Sequence, residues 1–301
     1  MSAGRAGLAA GFGAYLLWGL FPLYWPLLEP AAPVEILAHR IAWSLLLLVG
    51  LLALTSGFAW LRRLERRQAG LLTLAAVLVT INWGMYIYGV NSGRVVETSL
   101  GYFINPLVTV ALAVGVLGER LSRAQTIAVL IATVAVAVLA IDYGRPPWIA
   151  LTLAFSFGLY GLIKKRASVD GTQSVTFETA VLVVPAVAYL VWLGTTGDGT
   201  FTSEGAGHVA LLAAGGIFTA VPLVLFGIAA IRIPLTSLGL LQYLAPTLQF
   251  LIGVLVYSEP MPASRLVGFA LVWLALIVFT TDAVRGARRT PVAPALARGQ
   301  A

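Results

Sequence analysis

Three ionisable side chains lie close together in the segment EILAHRIAWS, residues 35 to 44, which then continues into an apolar run. In a helix, Glu35 and His39 share a face because they are four residues apart, and Arg40 follows at the next position. A histidine beside a carboxylate titrates near neutral pH, so the three residues could line a gate or couple a pathway to protons. The alternative is that Arg40, only about 9 Å into its helix, extends with Glu35 to lipid headgroups while His39 packs at an interface.

A second group of polar and aromatic side chains is embedded in apolar sequence further along the chain. Asn82, Trp83 and Tyr86 are spaced so that they can lie side by side on one helix face. Such a face suits an amphipathic organic ligand, because the rings provide contact area and the amide or hydroxyl fixes its orientation. The same stripe could instead be helix packing held by an interhelical hydrogen bond.

Two further polar clusters each stand next to a proline. They are Tyr102, Asn105 and Pro106 in one segment, and Gln242, Tyr243 and Pro246 in another. Proline removes a backbone hydrogen bond, so the freed carbonyl group must find a partner or face a cavity. We therefore predict that Pro106 and Pro246 are helix-breaking hinges, and that the polar residues beside them line a substrate cavity together with the Asn82 stripe.

Three carboxylates are associated with predicted helices. Glu119 and Glu259 close their helices and are predicted to be structural, tying helix ends to neighbouring charges or backbone amides, with gating as the alternative. Glu178 lies within an apolar segment, which makes it a candidate for ion coupling or for recognition of substrate charge.

Several kinds of chemistry are excluded. The chain has no cysteine and only two histidines, His39 and His208, so disulfides, thiolate chemistry and a His-rich metal site are ruled out. It contains no GxxxxGK[ST] loop, GxSxG elbow or HExxH motif, and GDG at 197 to 199 has no second aspartate in an apolar segment to pair with. We therefore predict no catalytic residue, no cofactor and no bound metal.

The elements that must position these residues are membrane spans. The chain is 59% hydrophobic and 10% charged, whereas soluble domains carry about 25% charge. A bilayer core about 30 Å thick needs about 20 apolar residues per helix. Ten segments meet this requirement, at 7–28, 34–55, 70–90, 98–118, 124–141, 147–163, 173–193, 208–230, 236–257 and 264–282.

The positive charges predict the orientation of this ten-span arrangement. Of 19 Lys and Arg residues, 15 fall on the side that carries both termini, which is therefore expected to be cytoplasmic. The net charge of +7 is explained by this topology, so no nucleic-acid partner is expected. Residues 1–6 form a cytoplasmic tail, and the basic residues of the 284–301 tail are predicted to form a disordered anchor to anionic lipid.

An internal repeat relates the two halves of the chain, predicted as 7–142 and 146–283. Pro106 aligns with Pro246 and Glu119 with Glu259 at a common offset, and RVVETSLG at 94–101 matches RIPLTSLG at 232–239. Because each unit holds five spans, the second copy must enter the membrane from the opposite side. Inverted repeats recur in secondary transporters, where substrate sites lie between the halves near the midplane.

Four segments resemble the RarD branch of the EamA permeases, within the drug and metabolite transporter superfamily. They are EILAHRIAWS, INWGMYIYGVNSG, ETSLGYFINPLVTVALAVGVLGERLS and LGLLQYLAPTLQFLIGVLVYSE, and the likeness extends from about residue 7 to 283. The resemblance implies an all-α polytopic membrane protein, with ten transmembrane helices in two inverted five-helix EamA repeats. It also implies a bacterial inner-membrane location with cytoplasmic termini.

We therefore expect a secondary transporter that moves a small organic solute, such as an amino-acid-like metabolite or an amphipathic drug, by alternating access and in the outward direction. Its expected partners are that solute and the lipid bilayer, and proton coupling is the coupling considered. The alternatives are a passive facilitator or channel, whose downhill flux would be unaffected by a pH gradient, and an intramembrane enzyme, which the missing motifs disfavour.

Overall fold

A computed structural model describes residues 3–92, 95–141 and 147–258, with shorter pieces at 266–267, 270–271, 273–275, 277–278 and 281–282. Glu259, the 284–301 tail and much of the predicted tenth span lie outside the described residues. The described part is helical and has no strand. Its α-helices are α1 Ala3–Gly19, α2 Pro33–Leu54, α3 Ala59–Arg63, α4 Arg66–Asn91, α5 Val95–Leu117, α6 Arg123–Ile141, α7 Trp148–Ala167, α8 Gly171–Thr196, α9 Gly205–Arg232, α10 Leu235–Leu241 and α11 Leu244–Leu255.

Local sequence explains where several helices begin and end. α2 begins at Pro33, a first-turn position at which the missing proline N–H costs nothing. α8 begins after Asp170, whose side chain accepts hydrogen bonds from the amides of Thr172 and Gln173 at 2.9 and 3.4 Å. α8 ends before Gly197, which adopts the left-handed backbone conformation (φ 78°).

The surface of the helical bundle is apolar, as expected of a protein that lies in lipid. Leu46, Leu130 and Val184 are among many large apolar side chains that point outward, with 62%, 61% and 72% exposure. Six helical segments are long and apolar enough to cross a membrane: Gly4–Leu23, Pro33–Leu54, Arg66–Gly89, Leu100–Leu117, Gly171–Thr196 and Gly205–Arg232. The chain is a multi-pass membrane protein, and the count of ten spans stays a prediction.

Glycines let the helices approach closely where they cross. A Cβ atom on Gly216 of α9 would lie 2.6 Å from the backbone of Trp43 in α2, and one on Gly101 of α5 would lie 3.1 Å from the backbone of Ala150 in α7. In the absence of a hydrophobic drive between helices in lipid, such close backbone packing supplies much of the attraction. The main pairs are α1 with α9, α4 with α7, α2 with α8 and α9, and α5 with α7.

One end of the bundle, here called the basic end, joins the start of α4 to the ends of α5, α7 and α9. Gln68 donates to the carbonyl of Ala167 at 3.2 Å, and Lys165 donates to the carbonyl of Ile233 at 2.7 Å. Glu119 accepts from the amides of Leu235 and Thr236 at 2.8 and 2.9 Å. Exposed basic residues cluster here, namely Arg62, Arg63, Arg66, Arg67, Arg166 and Arg232.

The far end joins the start of α2 to the start of α9 and the α8–α9 loop. The backbone amide of Thr200 donates to Glu35 at 2.7 Å, and the Tyr24 hydroxyl donates to the carbonyl of Leu211 at 2.6 Å. The far end also holds the end of α4 and the start of α7, where the rings of Tyr88 and Trp148 lie 5.7 Å apart. The segment ends therefore alternate between the two ends of the bundle.

Two predicted spans differ from a continuous helix. α1 stops at Gly19 and is followed by 3₁₀ turns at Phe21–Leu23 and Trp25–Leu28. Pro22 and Pro26 lack the amide hydrogens that would continue the α-helix through these turns. The predicted ninth span is likewise divided into α10 and α11, with Gln242 and Tyr243 at the break.

The two predicted hinges behave differently from each other. Pro106 lies inside α5, which continues through it, so the prediction that it breaks its helix is wrong at this position. Pro246 lies in the first turn of α11, where proline is tolerated, and the break comes before it at Gln242 and Tyr243. α10 crosses α5 closely beside Pro106. A Cβ atom on Gly239 would lie only 3.3 Å from the Pro106 carbonyl oxygen, so glycine is needed at this contact.

Candidate functional site

A cavity of about 240 Å³ lies in the centre of the bundle, between α1, α2, α4, α5, α7, α9 and α11. Its walls are largely aromatic and apolar, with a few polar groups. The structure brings six of the seven predicted cavity residues together on its walls: Asn82, Trp83, Tyr86, Tyr102, Asn105 and Gln242. Arg40 and Pro246 also line it.

Asn82 contributes to both the cavity wall and the packing of α4 on α7. Its side-chain amide donates to the carbonyl of Leu153 at 2.9 Å and to the Ser156 hydroxyl at 3.0 Å. One helical turn away, the ring of Tyr86 meets that of Tyr102 on α5 at 6.1 Å. The two interpretations of the stripe, cavity lining and helix packing, therefore describe the same side chains.

Two amide side chains face the cavity, Asn105 from α5 and Gln242 from the break between α10 and α11, which packs against α5. The Gln242 Nε2 atom donates to the Thr109 hydroxyl at 3.2 Å, and Thr109 in turn donates to the carbonyl of Asn105 at 3.0 Å. Oδ1 of Asn105 and Oε1 of Gln242 are buried and have no hydrogen-bond partner among the described residues. Buried acceptors of this kind cost free energy unless a ligand or water provides a donor.

Tyr243 does not line the cavity, contrary to the prediction. It is fully buried, and its hydroxyl donates to the carbonyl of Phe103 at 3.4 Å. At the break between α10 and α11, consecutive residues point in different directions, so Gln242 faces the cavity while Tyr243 packs against α5.

The three ionisable residues of EILAHRIAWS are separated by the structure. The Glu35 carboxylate is buried and accepts the amide hydrogen of Thr200, while the His39 ring stacks on Phe201 at 4.5 Å. The Thr200 hydroxyl is also hydrogen-bonded to His208 at 2.9 Å. Glu35 and His39 therefore hold the α8–α9 loop at the far end of the bundle, and Glu35 does not extend to a lipid surface.

Arg40 instead points into the bundle and lies in the cavity wall. Its Nε atom donates to the Thr219 hydroxyl at 2.7 Å. The guanidinium carbon is 5.0 Å from the ring centre of Trp25 and 5.1 Å from that of Trp83. Successive side chains point about 100° apart around a helix, so His39 faces the α8–α9 loop while Arg40 faces the cavity. The alternative in which Arg40 extends to lipid headgroups is therefore not observed.

Glu178 lies away from the cavity lining and is paired with Lys164 at 2.6 Å, with both side chains almost fully buried. The Tyr160 hydroxyl donates to Glu178 at 2.9 Å, and Lys164 donates to the Ser174 hydroxyl at 2.5 Å. Lys164 opens the basic run Lys164–Arg166, which by its charges alone would be counted with the cytoplasmic side. The structure places its ammonium group inside the bundle.

An aromatic cluster connects the cavity to this ion pair. It consists of Trp18, Phe157, Phe226 and Tyr160, with neighbouring ring centres 5.3 to 5.8 Å apart. Trp18 and Phe157 line the cavity, and Tyr160 binds Glu178. These packed rings therefore connect the cavity wall directly with the buried pair of Lys164 and Glu178.

Sequence reasoning missed several lining residues on α1 and α11. Tyr15, Trp18 and Trp25 line the cavity from the first segment, and Gln249 lines it from α11, where it donates to the carbonyl of Trp18 at 3.1 Å. The signal was present, because Trp18 and Trp25 are seven residues apart and thus on one helical face. In an apolar segment this spacing is equally typical of lipid-facing aromatics.

Among the described residues, no group of three His, Asp or Glu side chains is placed to hold a metal ion. The arrangement of the cavity suits noncovalent binding, since it combines ring surfaces, one cation and amide groups without a nucleophile beside a base.

Comparisons with known proteins give a consistent result. Residues 5–141 match the model of the EamA-like transporter family. The chain is 58% identical to the protein RarD of Streptomyces exfoliatus, over 95% of this chain and 91% of that one. It is 44% identical to the transporter YojE of Bacillus subtilis, over 91% and 93% of the two chains. One crystal structure superposes with a TM-score of 0.72 at 19% identity, over 93% of this chain and 99% of the other, which shows a shared fold.

Proposed function

Because the chain belongs to the EamA-like transporter family, in its RarD branch, we propose that it is a secondary transporter that works by alternating access. It moves a small organic solute, such as an amino-acid-like metabolite or an amphipathic drug, outward across a bacterial inner membrane. The observation that carries this proposal is the central cavity, whose walls come from both predicted halves, with twelve lining residues before 142 and seven after 146. A site between two halves is where a transporter with inverted repeats holds its substrate.

The helix contacts support the proposed inverted repeat of 7–142 and 146–283. α1 packs on α9, and α7 packs on α4. If α7 is the counterpart of α1 and α9 the counterpart of α4, these two contacts are equivalent under a pseudo-two-fold axis. Two such halves can exchange roles between outward-facing and inward-facing states, with the solute site kept between them.

The two ends of the bundle supply candidate gates for this cycle. At the far end, Glu35 and His39 hold the α8–α9 loop over the start of α2. Towards the basic end, the aromatic cluster closes the cavity and leads to the pair of Lys164 and Glu178. We assign Glu35 and His39 to a gate at the far end, Arg40 to the cavity wall below that gate, and Glu178 to coupling, because protonation of a buried carboxylate would release its partner.

Transport in proteoliposomes tests the proposal. Purified protein is reconstituted, and flux of a panel of amino acids, organic acids and amphipathic drugs is measured with and without a pH gradient. Accumulation against a concentration gradient that depends on the pH gradient is expected. Downhill flux alone, unaffected by pH, would favour the passive facilitator, and absence of flux for every solute would contradict a transporter.

Variants at the cavity sharpen this test. Asn105→Leu removes an inward-facing amide at nearly constant volume and is expected to lower flux at least about tenfold while insertion is unchanged. The matched control is Thr133→Val, on the exposed side of α6, which changes polarity without touching the cavity.

A further inference from the structure

Arg40 is held in one orientation by contacts on its stem and its Nε atom. The Thr219 hydroxyl donates its own hydrogen to the carbonyl of Gly215 at 2.7 Å, so its lone pairs remain free to accept from Arg40. The glycine at 215 leaves room for the stem, because a Cβ atom there would lie 3.1 Å from Cγ of Arg40. These contacts on Nε and Cγ therefore fix the orientation of the Arg40 side chain and of its terminal guanidinium nitrogens.

The positive charge of Arg40 has no counter-charge in the described part of the chain. The two ion pairs found there are Lys164 with Glu178 and Lys165 with Glu119, and no acidic residue lines the cavity. The only hydrogen bond of its guanidinium group among the described residues is the one from Nε to Thr219. A charge inside a membrane protein normally pairs or faces a watery pathway, because an unpaired charge is costly to desolvate.

Aromatic faces surround the guanidinium group without completing its hydrogen bonding. Trp25, Trp83 and Phe21 lie 5.0, 5.1 and 5.8 Å from its central carbon. Ring faces stabilise a cation electrostatically, but they are poor acceptors for the remaining N–H groups. A planar anion that accepts two parallel N–H bonds would satisfy the guanidinium fork, and a carboxylate has that geometry.

Other walls of the same cavity carry buried acceptors that need a hydrogen-bond donor. Oδ1 of Asn105 and Oε1 of Gln242 are buried acceptors without a partner among the described residues, in side chains that are 7% and 4% exposed. They call for a hydrogen-bond donor. The walls of the same cavity also include the rings of Trp83, Tyr86 and Tyr102, which suit a flat apolar body.

We infer that the cavity binds a small aromatic organic acid, with its carboxylate on Arg40 and an N–H donor facing Asn105 and Gln242. A single arginine among the lining residues matches a monoanion better than a phosphate dianion, which usually collects several positive groups. This substrate class rests on the proposed transport function, and it adds a charge requirement that transport of an amphipathic solute does not by itself demand.

Three matched probes separate the parts of the inference. Indole-3-acetate carries the carboxylate, the flat ring and the N–H, indole-3-acetamide lacks the charge, and 1-methylindole-3-acetate lacks the donor. Binding to the full chain in lipid nanodiscs is measured by isothermal titration calorimetry. We expect the acid to bind at least about tenfold more tightly than the amide, and the N-methyl acid to bind about three- to tenfold more weakly than the parent acid.

Variants of the chain then assign the preference to Arg40. In Arg40→Gln the acid should bind within about twofold of the amide, and measurable binding of the amide to this variant shows that the cavity is intact. Arg166→Gln is the matched control, because it removes the same charge from an exposed position at the end of α7. If Arg40→Gln is not monodisperse, Thr219→Val decides, since it removes the acceptor that orients the guanidinium and should lower the preference for the acid.

The outcomes are separable from those that test transport. Equal binding of acid and amide to the unaltered protein, no binding of any of the three probes, or an equal loss of preference in Arg166→Gln would overturn the organic-acid inference. If proteoliposomes still move some solute in that case, the transporter proposal stands. Conversely, an acid-selective cavity without flux of any solute would support the binding site and contradict the transport function.

Discussion

Lys164 and Glu178 form an ion pair whose side chains are only 2% and 3% exposed. Removing two charges from water is costly, and the pair persists because Tyr160 and Ser174 complete its hydrogen bonds. Loss of one partner leaves an uncompensated charge in the bundle, whereas loss of both leaves a neutral, packed space. Stability and coupling therefore depend on this pair in different ways.

We predict that Lys164→Met lowers the free energy of unfolding by about 3 to 5 kcal/mol, because it leaves the Glu178 carboxylate unpaired. The double variant Lys164→Met with Glu178→Met should recover most of that loss. Unfolding by graded denaturant in mixed micelles measures both. A double variant no more stable than Lys164→Met would contradict the role of the pair.

The same double variant tests coupling. If Glu178 carries the coupling proton, solute flux through the double variant in proteoliposomes should no longer depend on the pH gradient, although this variant is folded. Flux that still follows the gradient would remove Glu178 from the coupling mechanism.

At the scale of single residues, sequence predicts those sites whose neighbours are close along one helix. Asn82 and Tyr86, or Tyr102 and Asn105, fall on common faces that helical periodicity specifies. Arg40 and Thr219 are separated by 179 positions, and the buried partner of Lys164 lies on the next helix. Such contacts depend on how helices cross, which periodicity does not encode.

Helix crossings in this bundle depend on glycine at the contact points. Gly216 of α9 lies against the backbone of α2, where Ser44 also donates to the Gly216 carbonyl at 3.0 Å. A side chain at this position would have to displace backbone atoms, which are less adaptable than the end of a flexible side chain.

Gly216→Val is therefore expected to destabilise the fold by about 3 kcal/mol, the upper end of the usual range for overpacking, since the overlap is with backbone. The yield of monodisperse protein and its apparent melting temperature should both fall. Gly50→Val provides the matched control, because nothing lies within 4 Å of a Cβ atom placed at Gly50. Similar losses in both variants would show that reduced backbone freedom at glycine, not the crossing, is what matters.

The start of α10 is held by a carboxylate from another helix. Glu119, at the end of α5, accepts from the first two amides of α10, which have no acceptor within their own helix. We predict that Glu119→Ala costs about 1 to 3 kcal/mol of unfolding free energy, with Glu65→Ala, an exposed glutamate at the same end, as the control. Equal stability of the two variants would mean that water replaces Glu119 at these amides.

At the scale of elements, apolar length predicted six segments that the structure shows as helices able to cross a membrane, but it did not predict where helices break. In the segment 236–257 the sequence marked an interruption at Pro246, but the break lies just before it, at Gln242 and Tyr243, where packing against α5 and the cavity defines it. Pro106 shows the converse, because α5 continues through a residue that would end many soluble helices.

For the whole molecule, the distribution of basic residues between the two ends of the bundle indicates its orientation in the membrane. Basic residues gather at the end that joins α4, α5, α7 and α9, while the far end carries few of them. Positive charges are retained on the cytoplasmic side during insertion, so we propose that the basic end faces the cytoplasm together with both termini, in a ten-span arrangement.

The absence of native cysteine makes this orientation directly measurable with single-cysteine variants. Asp198→Cys, at the far end, should react with an impermeant maleimide in intact cells. Ser168→Cys, at the basic end, should react only after the membrane is opened. Labelling of both positions from outside, or the reverse pattern, would contradict the proposed topology.

Three tryptophans of the eight in the chain, Trp18, Trp25 and Trp83, lie in the cavity wall. Their indole emission responds to the polarity and the absorbance of whatever occupies the space between them. Entry of a nitroaromatic ligand should therefore quench this emission by energy transfer, on the timescale of binding itself. The intrinsic fluorescence of these tryptophans can therefore report binding in the cavity before any substrate has crossed the membrane.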